Sequence, residues 1–265
     1  MLLNNVAKSR LLSGKIAFGL GVRHSRTVDI ARAAKAAGYH YLFIDLEHCT
    51  MDIATAGQIC VAALDAGVTP VVRVPGHEHF HAARILDGGA QGIVVPHVET
   101  AAQARQAVSN CRYAPLGHRS GMGPMVHLHW KGMPQDQISE AINNDVLLVV
   151  MLESPRAVEN VEEIAAVEGI DVISIGTNDL ALEMGIPGQV EHPRILECYD
   201  RVAAACKNNN KILRLGGIYE HSQIMRTIEL GSRMIMLGND FGFMMQAMRG
   251  KAEEISSQVD VELIS

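Results

Sequence analysis

Short, nearly uninterrupted apolar runs recur along the chain, and between them apolar and polar positions alternate with a helical period. The runs Ile16–Val22, Tyr41–Leu46, Thr69–Val74, Gly92–Val98, Leu147–Leu152, Val172–Ile175, Ile212–Ile218 and Arg233–Leu237 read as strands. A helical lead precedes the first. Val28–Ala37, Asp52–Ala66, Glu78–Leu86, Ala101–Ser109, Arg194–Lys207, Ser222–Leu230 and Phe241–Gln258 read as helices, the first two ended by Gly38 and Gly67. Strands this continuously apolar are covered on both faces, which is the habit of parallel strands. Their alternation with helices predicts an α/β fold, a TIM (β/α)8 barrel forming a single domain over 1–265. An open doubly wound sheet is the rival. It usually carries a glycine-rich phosphate loop after its first strand, and Gly19–Leu20–Gly21 lacks the continuation.

The rhythm breaks once. From about 112 to 145 a Gly/Pro-rich loop and a short helical piece form an insertion after the fourth βα unit. Loops that follow strand C-termini build the site of a barrel, so Arg119, Gly121 and Gly123 are expected to face the substrate or a neighbouring subunit; a structural surface loop is the alternative.

Composition narrows the class. The chain is 48% hydrophobic and 20% charged with net charge −6, and no Lys/Arg run offers a nucleic-acid surface. The apolar runs are strand-sized, far short of a membrane span. The start MLLNNVAKSRLLSGK lacks the pattern of a signal peptide. Five cysteines, odd in number and without metal spacing, read as reduced thiols in the cytoplasm.

Chemistry concentrates where strands end. Leu147–Leu152 delivers Glu153, and Val172–Ile175 delivers Gly176–Thr177–Asn178–Asp179. Two carboxylates emerging from neighbouring strands suit a hard divalent cation with open positions for water and substrate. Capping of the two following helices is the simpler account of both. In a barrel all strand C-termini share one face, so Asp45, Glu47 and His48 after the second strand and Arg73 on the third converge with Glu153 and Asp179 there. The set matches enolate chemistry. The cation chelates a 2-oxo acid, and Arg73 adds charge where the oxyanion grows. His48 moves the proton with Asp45 or Glu47 orienting its ring, and backbone N–H groups of Asn178 and Asp179 hold the substrate carboxylate. His77 and His81 share a helix face, and His127 and His129 alternate before Trp130, but neither pair has an evident third metal ligand.

The motifs Phe43–Ile44–Asp45–Leu46–Glu47–His48, Val71–Val72–Arg73–Val74, Leu152–Glu153–Ser154–Pro155–Arg156 and Ile175–Gly176–Thr177–Asn178–Asp179–Leu180 resemble those of the HpcH/HpaI aldolase family, in the family's order and from about Gly14 to Ala252. The resemblance implies a class II pyruvate aldolase that reversibly cleaves 4-hydroxy-2-oxo acids to pyruvate and an aldehyde. It implies Mg²⁺, Mn²⁺ or Co²⁺ as cofactor. By position, His48 resembles the base and Asp45 its partner, Arg73 the enolate-stabilising arginine, and Glu153 and Asp179 the metal ligands. It further implies a homohexamer of dimers that exchange their last helix. The chain departs from the pattern at Met151, often glutamine and near the substrate, at Gly117–Gly123, and at Thr177–Asn178, which leaves the acceptor open. No lysine falls at a strand's closing end, which disfavours a Schiff base. Two alternatives stand beside the aldolase: a Claisen-type condensing enzyme or lyase acting on a dicarboxylate or acyl-CoA, and a non-catalytic barrel scaffold.

Overall fold

A computed structural model describes residues 4–123 and 125–259. Helix α1 (Val6–Leu12) leads into β1 (Ala17–Val22), α2 (Asp29–Ala36), β2 (Tyr41–Asp45), α3 (Ile53–Ala66), β3 (Thr69–Arg73), α4 (His79–Asp87), β4 (Gly92–Val95) and α5 (Ala101–Cys111). A short 3₁₀ turn at Val126–Leu128 precedes α6 (Gln135–Asp145) and β5 (Leu147–Leu152). Then follow α7 (Pro155–Glu159), α8 (Val161–Ala165), β6 (Val172–Gly176), α9 (Thr177–Glu183), α10 (Pro193–Asn208), β7 (Ile212–Gly216), α11 (His221–Glu229), β8 (Met234–Asn239) and α12 (Asp240–Ser256).

The strands form one parallel sheet in the order β7-β6-β5-β4-β3-β2-β1-β8. It curls until its edges meet, where the Arg233 N–H donates to Leu213 O at 3.4 Å. This is the TIM barrel, in a single domain. Alternate residues of each strand divide two cores. Leu42, Ile44, Val72, Ile93, Leu148 and Val150 face the helical coat, whereas Tyr41, Phe43, Val71, Val94, Val149 and Met151 fill the barrel interior. The coat shows the helical period plainly: α3 buries Ala56, Ile59, Cys60 and Ala63, an i, i+3, i+4, i+7 stripe. Full burial of Ile59 alone contributes roughly 1.5–3 kcal/mol.

Expected and observed elements agree within a few residues, and the differences have local causes. β4 stops at Val95 rather than Val98, because Pro96 has no N–H for the ladder and His97 takes φ 50°. The helix expected after Glu153 is broken in two at Asn160. Thr177, expected in a turn, already opens α9.

Helix α1 closes the bottom of the barrel, the end where strands begin. Ala7 and Leu11, one turn apart, join the interior core. The insertion reaches the same end, which corrects the expectation built on strand-following loops. It follows a helix, α5, and helices run opposite to the strands. Arg112 accordingly binds Val146 O, Gly169 O and Asp171, all just before β5 or β6, and His127 Nε2 lies 2.9 Å from Ala90 O, before β4.

Candidate active site

The strand C-termini surround a cavity of about 270 Å³ lined by Arg23, Phe43, His48, Arg73, Met151, Glu153, Gly176, Thr177, Asn178, Asp179, Arg214, Gly216, Gly217, Tyr219 and Met236. His48, Arg73, Met151, Glu153, Asn178 and Asp179, scattered in sequence, therefore meet at one place. Asp45 and Glu47 stand directly behind them. Arg119 and Gly121 do not: Arg119 donates to Asp87 Oδ1 at 2.7 Å at the end of α4, stacked on Tyr113, and a Cβ on Gly121 would meet Gln135.

Register explains the convergence. Asp45 on β2 is the Cα partner of Arg73 on β3, and the two form a forked pair with Nε to Oδ1 at 3.0 Å and Nη2 to Oδ2 at 2.6 Å. Arg23, leaving β1, adds a third donor to Asp45 Oδ2 at 3.0 Å. The loop that carries Arg23 is held by Asp240 at the start of α12, which accepts the N–H groups of Arg23, His24 and Ser25. Asp45 also accepts the backbone N–H groups of Glu47 and His48 at 3.1 and 3.2 Å. Burial alone would raise the Asp45 pKa, but the hydrogen bonds and charge of Arg73, with help from His48 N–H and Arg23, hold it below the usual carboxylate range.

Asp45 thus shapes the turn that carries His48 but does not touch its imidazole, which is the correction to its expected role as the ring's partner. The carboxylate beside the ring is Glu47, with Oε2 3.9 Å from His48 Nε2 and 2.8 Å from Arg73 Nη1. The His48 ring itself is half exposed at the cavity mouth. Of the two orienting residues weighed from sequence, Glu47 stands nearer the ring, at 3.9 Å and beyond hydrogen-bond length.

Glu153 leaves β5 into the cavity and is 3% exposed. Burial raises its pKa, opposed by the His97 N–H, which donates to Oε2 at 2.9 Å. Room for it comes from Gly176 on the neighbouring strand, where a Cβ would fall 2.5 Å from Glu153 Oε1. Among the described residues neither Glu153 nor Asp179 is paired with a lysine or arginine. Nor do three or more His, Cys, Asp or Glu residues gather there into a full metal cage. Two carboxylates in a polar cavity with the remaining positions open are the donor set that a hard divalent cation accepts.

Three groups at the site went unread in the sequence: Arg23 and Arg214 line the cavity, and His97 stands beside it. His97 bridges the carboxylates, with Nε2 3.1 Å from Glu47 Oε1 and Nδ1 3.4 Å from Glu153 Oε2. The only signal was a histidine directly after a strand-ending proline. Arg23 ends β1 in the manner that singled out Glu153. Arg214 lies inside β7, where a charge in an apolar strand was the available sign.

A parallel barrel with a histidine, a carboxylate-anchored arginine and two free carboxylates on its C-terminal rim has the parts of an enzyme that moves protons next to a polarised carbonyl. The chain belongs to the HpcH/HpaI aldolase/citrate lyase family, whose model matches residues 23–247. It is 37% identical to the 4-hydroxy-4-methyl-2-oxoglutarate aldolase tasA of Hapsidospora irregularis, over 97% of each chain. The crystal structure of an HpcH/HpaI aldolase from Desulfitobacterium hafniense DCB-2 superposes with a TM-score of 0.91 at 28% identity, covering 96% of this chain and 97% of that one. The citrate synthase SbnG superposes with a TM-score of 0.86 at 26% identity, covering 98% and 100%.

Proposed function

We propose that this protein is a class II pyruvate aldolase, reversibly cleaving 4-hydroxy-2-oxo acids to pyruvate and a carbonyl fragment. The observation that carries the reading is the meeting of His48, Arg73, Glu153 and Asp179 around one small cavity. In the cleavage direction His48 takes the proton of the C4 hydroxyl, the C3–C4 bond breaks, and C4 leaves as a carbonyl. The bonding pair passes to the C2 oxygen as an enolate. His48 returns its proton to C3, which completes pyruvate. Glu47 faces the ring and steadies the imidazolium formed between the two transfers. Arg73 has five N–H groups; Nε and Nη2 each donate one to Asp45, Nη1 lies 2.8 Å from Glu47 Oε2, and the terminal N–H groups left over serve the developing oxyanion. Glu153 and Asp179 would hold Mg²⁺, Mn²⁺ or Co²⁺, which supplies a Lewis acid toward the 2-oxo acid when bound. Met151 and Asn178 line the substrate's place.

The likeness to SbnG favours a second reading, a Claisen-type condensation on a dicarboxylate. A cavity of about 270 Å³, at the low end of the ~300–1,000 Å³ of ligand pockets, suits a small acid better than a thioester of coenzyme A. A panel of aldehydes and oxo acids with pyruvate, run with and without EDTA, decides between the readings. Carbon–carbon bond formation that EDTA abolishes supports the aldolase; turnover that survives EDTA, or requires an acyl thioester, refutes it.

The assembly is part of the reading. No residue of α12 is buried, and Phe241, Phe243, Met244, Met248 and Ile255 stand exposed along it. A second copy of the chain would cover this exposed face in the expected dimer-based hexamer with exchanged last helices. The five cysteines are all unpaired, in keeping with a reducing cytoplasm. No described helix is long and apolar enough to cross a membrane.

A further inference from the structure

Of the arginines lining the cavity, Arg214 alone has no ion pair among the described residues, and the mechanism leaves it unused. It stands in the interior layer of β7, beside Ser174 on β6, and is 1% exposed. Nη1 donates to Ser174 Oγ at 2.6 Å and Nη2 lies 4.0 Å from Met236 Sδ, while the guanidinium carbon sits 4.9 Å from the centre of the Phe43 ring. Nε has no partner, and among the described residues the group joins no ion pair.

An arginine keeps its charge even here, and a buried charge without a counterion is costly enough that it is normally paired. The other two lining arginines obey that rule, since both bind Asp45. Tyr41 beside Arg214 does not serve as its counterion, because burial raises the phenol pKa against the pull of the guanidinium. The strand above it is cleared of side chains. A Cβ on Gly216 would fall 2.8 Å from Arg214 Nη1, and Gly217 follows at φ 82°. The charge is therefore unneutralised and reachable only through the cavity.

We propose that Arg214 determines specificity by receiving a second carboxylate of the substrate, carried on the carbonyl fragment that departs from pyruvate. The substrate class is then the 4-hydroxy-2-oxo dicarboxylates. This rests on the aldolase reading and sharpens it: the acceptor is an oxo acid, not a simple aldehyde.

The test compares kcat/KM for 4-hydroxy-4-methyl-2-oxoglutarate with that for the monocarboxylate 4-hydroxy-2-oxopentanoate, in wild type, Arg214→Met and Arg214→Lys. Wild type prefers the diacid by on the order of 100-fold, the value of a charge-assisted pair. In Arg214→Met that preference collapses, and in Arg214→Lys part of it returns. An equal fall on both acids overturns the assignment, because it would mean that the arginine holds pyruvate or the barrel core. The wild-type ratio needs no variant to fold, and a ratio near one overturns it equally. Exchange of pyruvate's methyl protons involves no second carboxylate and tests the aldolase reading separately, so the two fail in different assays.

Discussion

The two ends of the barrel use the same kinds of residue to opposite effect. At the bottom, polar groups are tied to one another. Asn5 donates to Gln91 O, to Asp145 O and, through its backbone, to Asp145 Oδ1, while Gln91 donates to Asp145 Oδ2 and Thr69 to Asn5 Oδ1. Lys8 and Arg112 share Asp171 at 3.1 and 2.6 Å. At the top, Glu153 has only His97, Asp179 has no described ion pair, and Arg214 has no anion. Glu153 and Arg214 are as deeply buried as Asn5, Asp145 and Arg112; the difference is whether each charge finds its partner within the chain. A satisfied network stabilises one conformation, whereas unsatisfied groups at a cavity await a ligand.

Substitutions at either end test that contrast. Glu153→Gln should have the largest effect on activity, a loss of at least about a thousandfold together with loss of divalent-cation binding by calorimetry. The same change should leave the metal-free protein as stable as wild type or more so, because it removes a buried carboxylate that burial penalises; a large fall in melting temperature would break the contrast. His48→Ala should slow exchange of pyruvate's methyl protons by about 10²–10⁴-fold while cation binding persists.

Asp145→Ala at the bottom should cost about 3 kcal/mol in urea denaturation by stranding Asn5 and Gln91. The folded fraction should retain its kcat. Lost turnover with unchanged stability would reverse the assignment of the two ends.

Two carboxylates of the top end respond oppositely to acid. The Asp45 pKa is lowered in the fold, so its contribution is present above the ordinary carboxylate pKa of about 4 and is lost as pH falls through the folded value. The Glu153 pKa is raised, so its protonation favours the metal-free fold, and cation affinity should begin to weaken above the pH at which an exposed glutamate protonates. Calorimetric titration against pH checks the second sign and chemical denaturation the first. The smallest effect belongs to Arg201, exposed on α10 and paired with Glu162 at 2.9 Å. Its replacement by alanine should change stability by less than about 1 kcal/mol and activity not measurably.

Much of this was legible along the chain. Period and continuity of the apolar runs determined eight parallel strands and their coat, because a buried strand must be apolar on both faces wherever it lies. Charged residues at or just past the closing ends of such runs identified Arg73, Glu153, His48 and Asp179, since a charge there is conspicuous against what precedes it. Partnership was a different matter. Whether Asp45 served the ring of His48 or the guanidinium of Arg73 depended on strand register, which lies between segments and not within one. The insertion's placement at the bottom followed from its leaving a helix, a direction that composition does not carry. Arg214 sat unremarked in its strand because a charge inside an apolar run acquires meaning only once the closed sheet shows that no carboxylate faces it. Local pattern determined the elements and their polar ends; tertiary structure decided which charges are neutralised, because pairing is a matter of distance across the barrel.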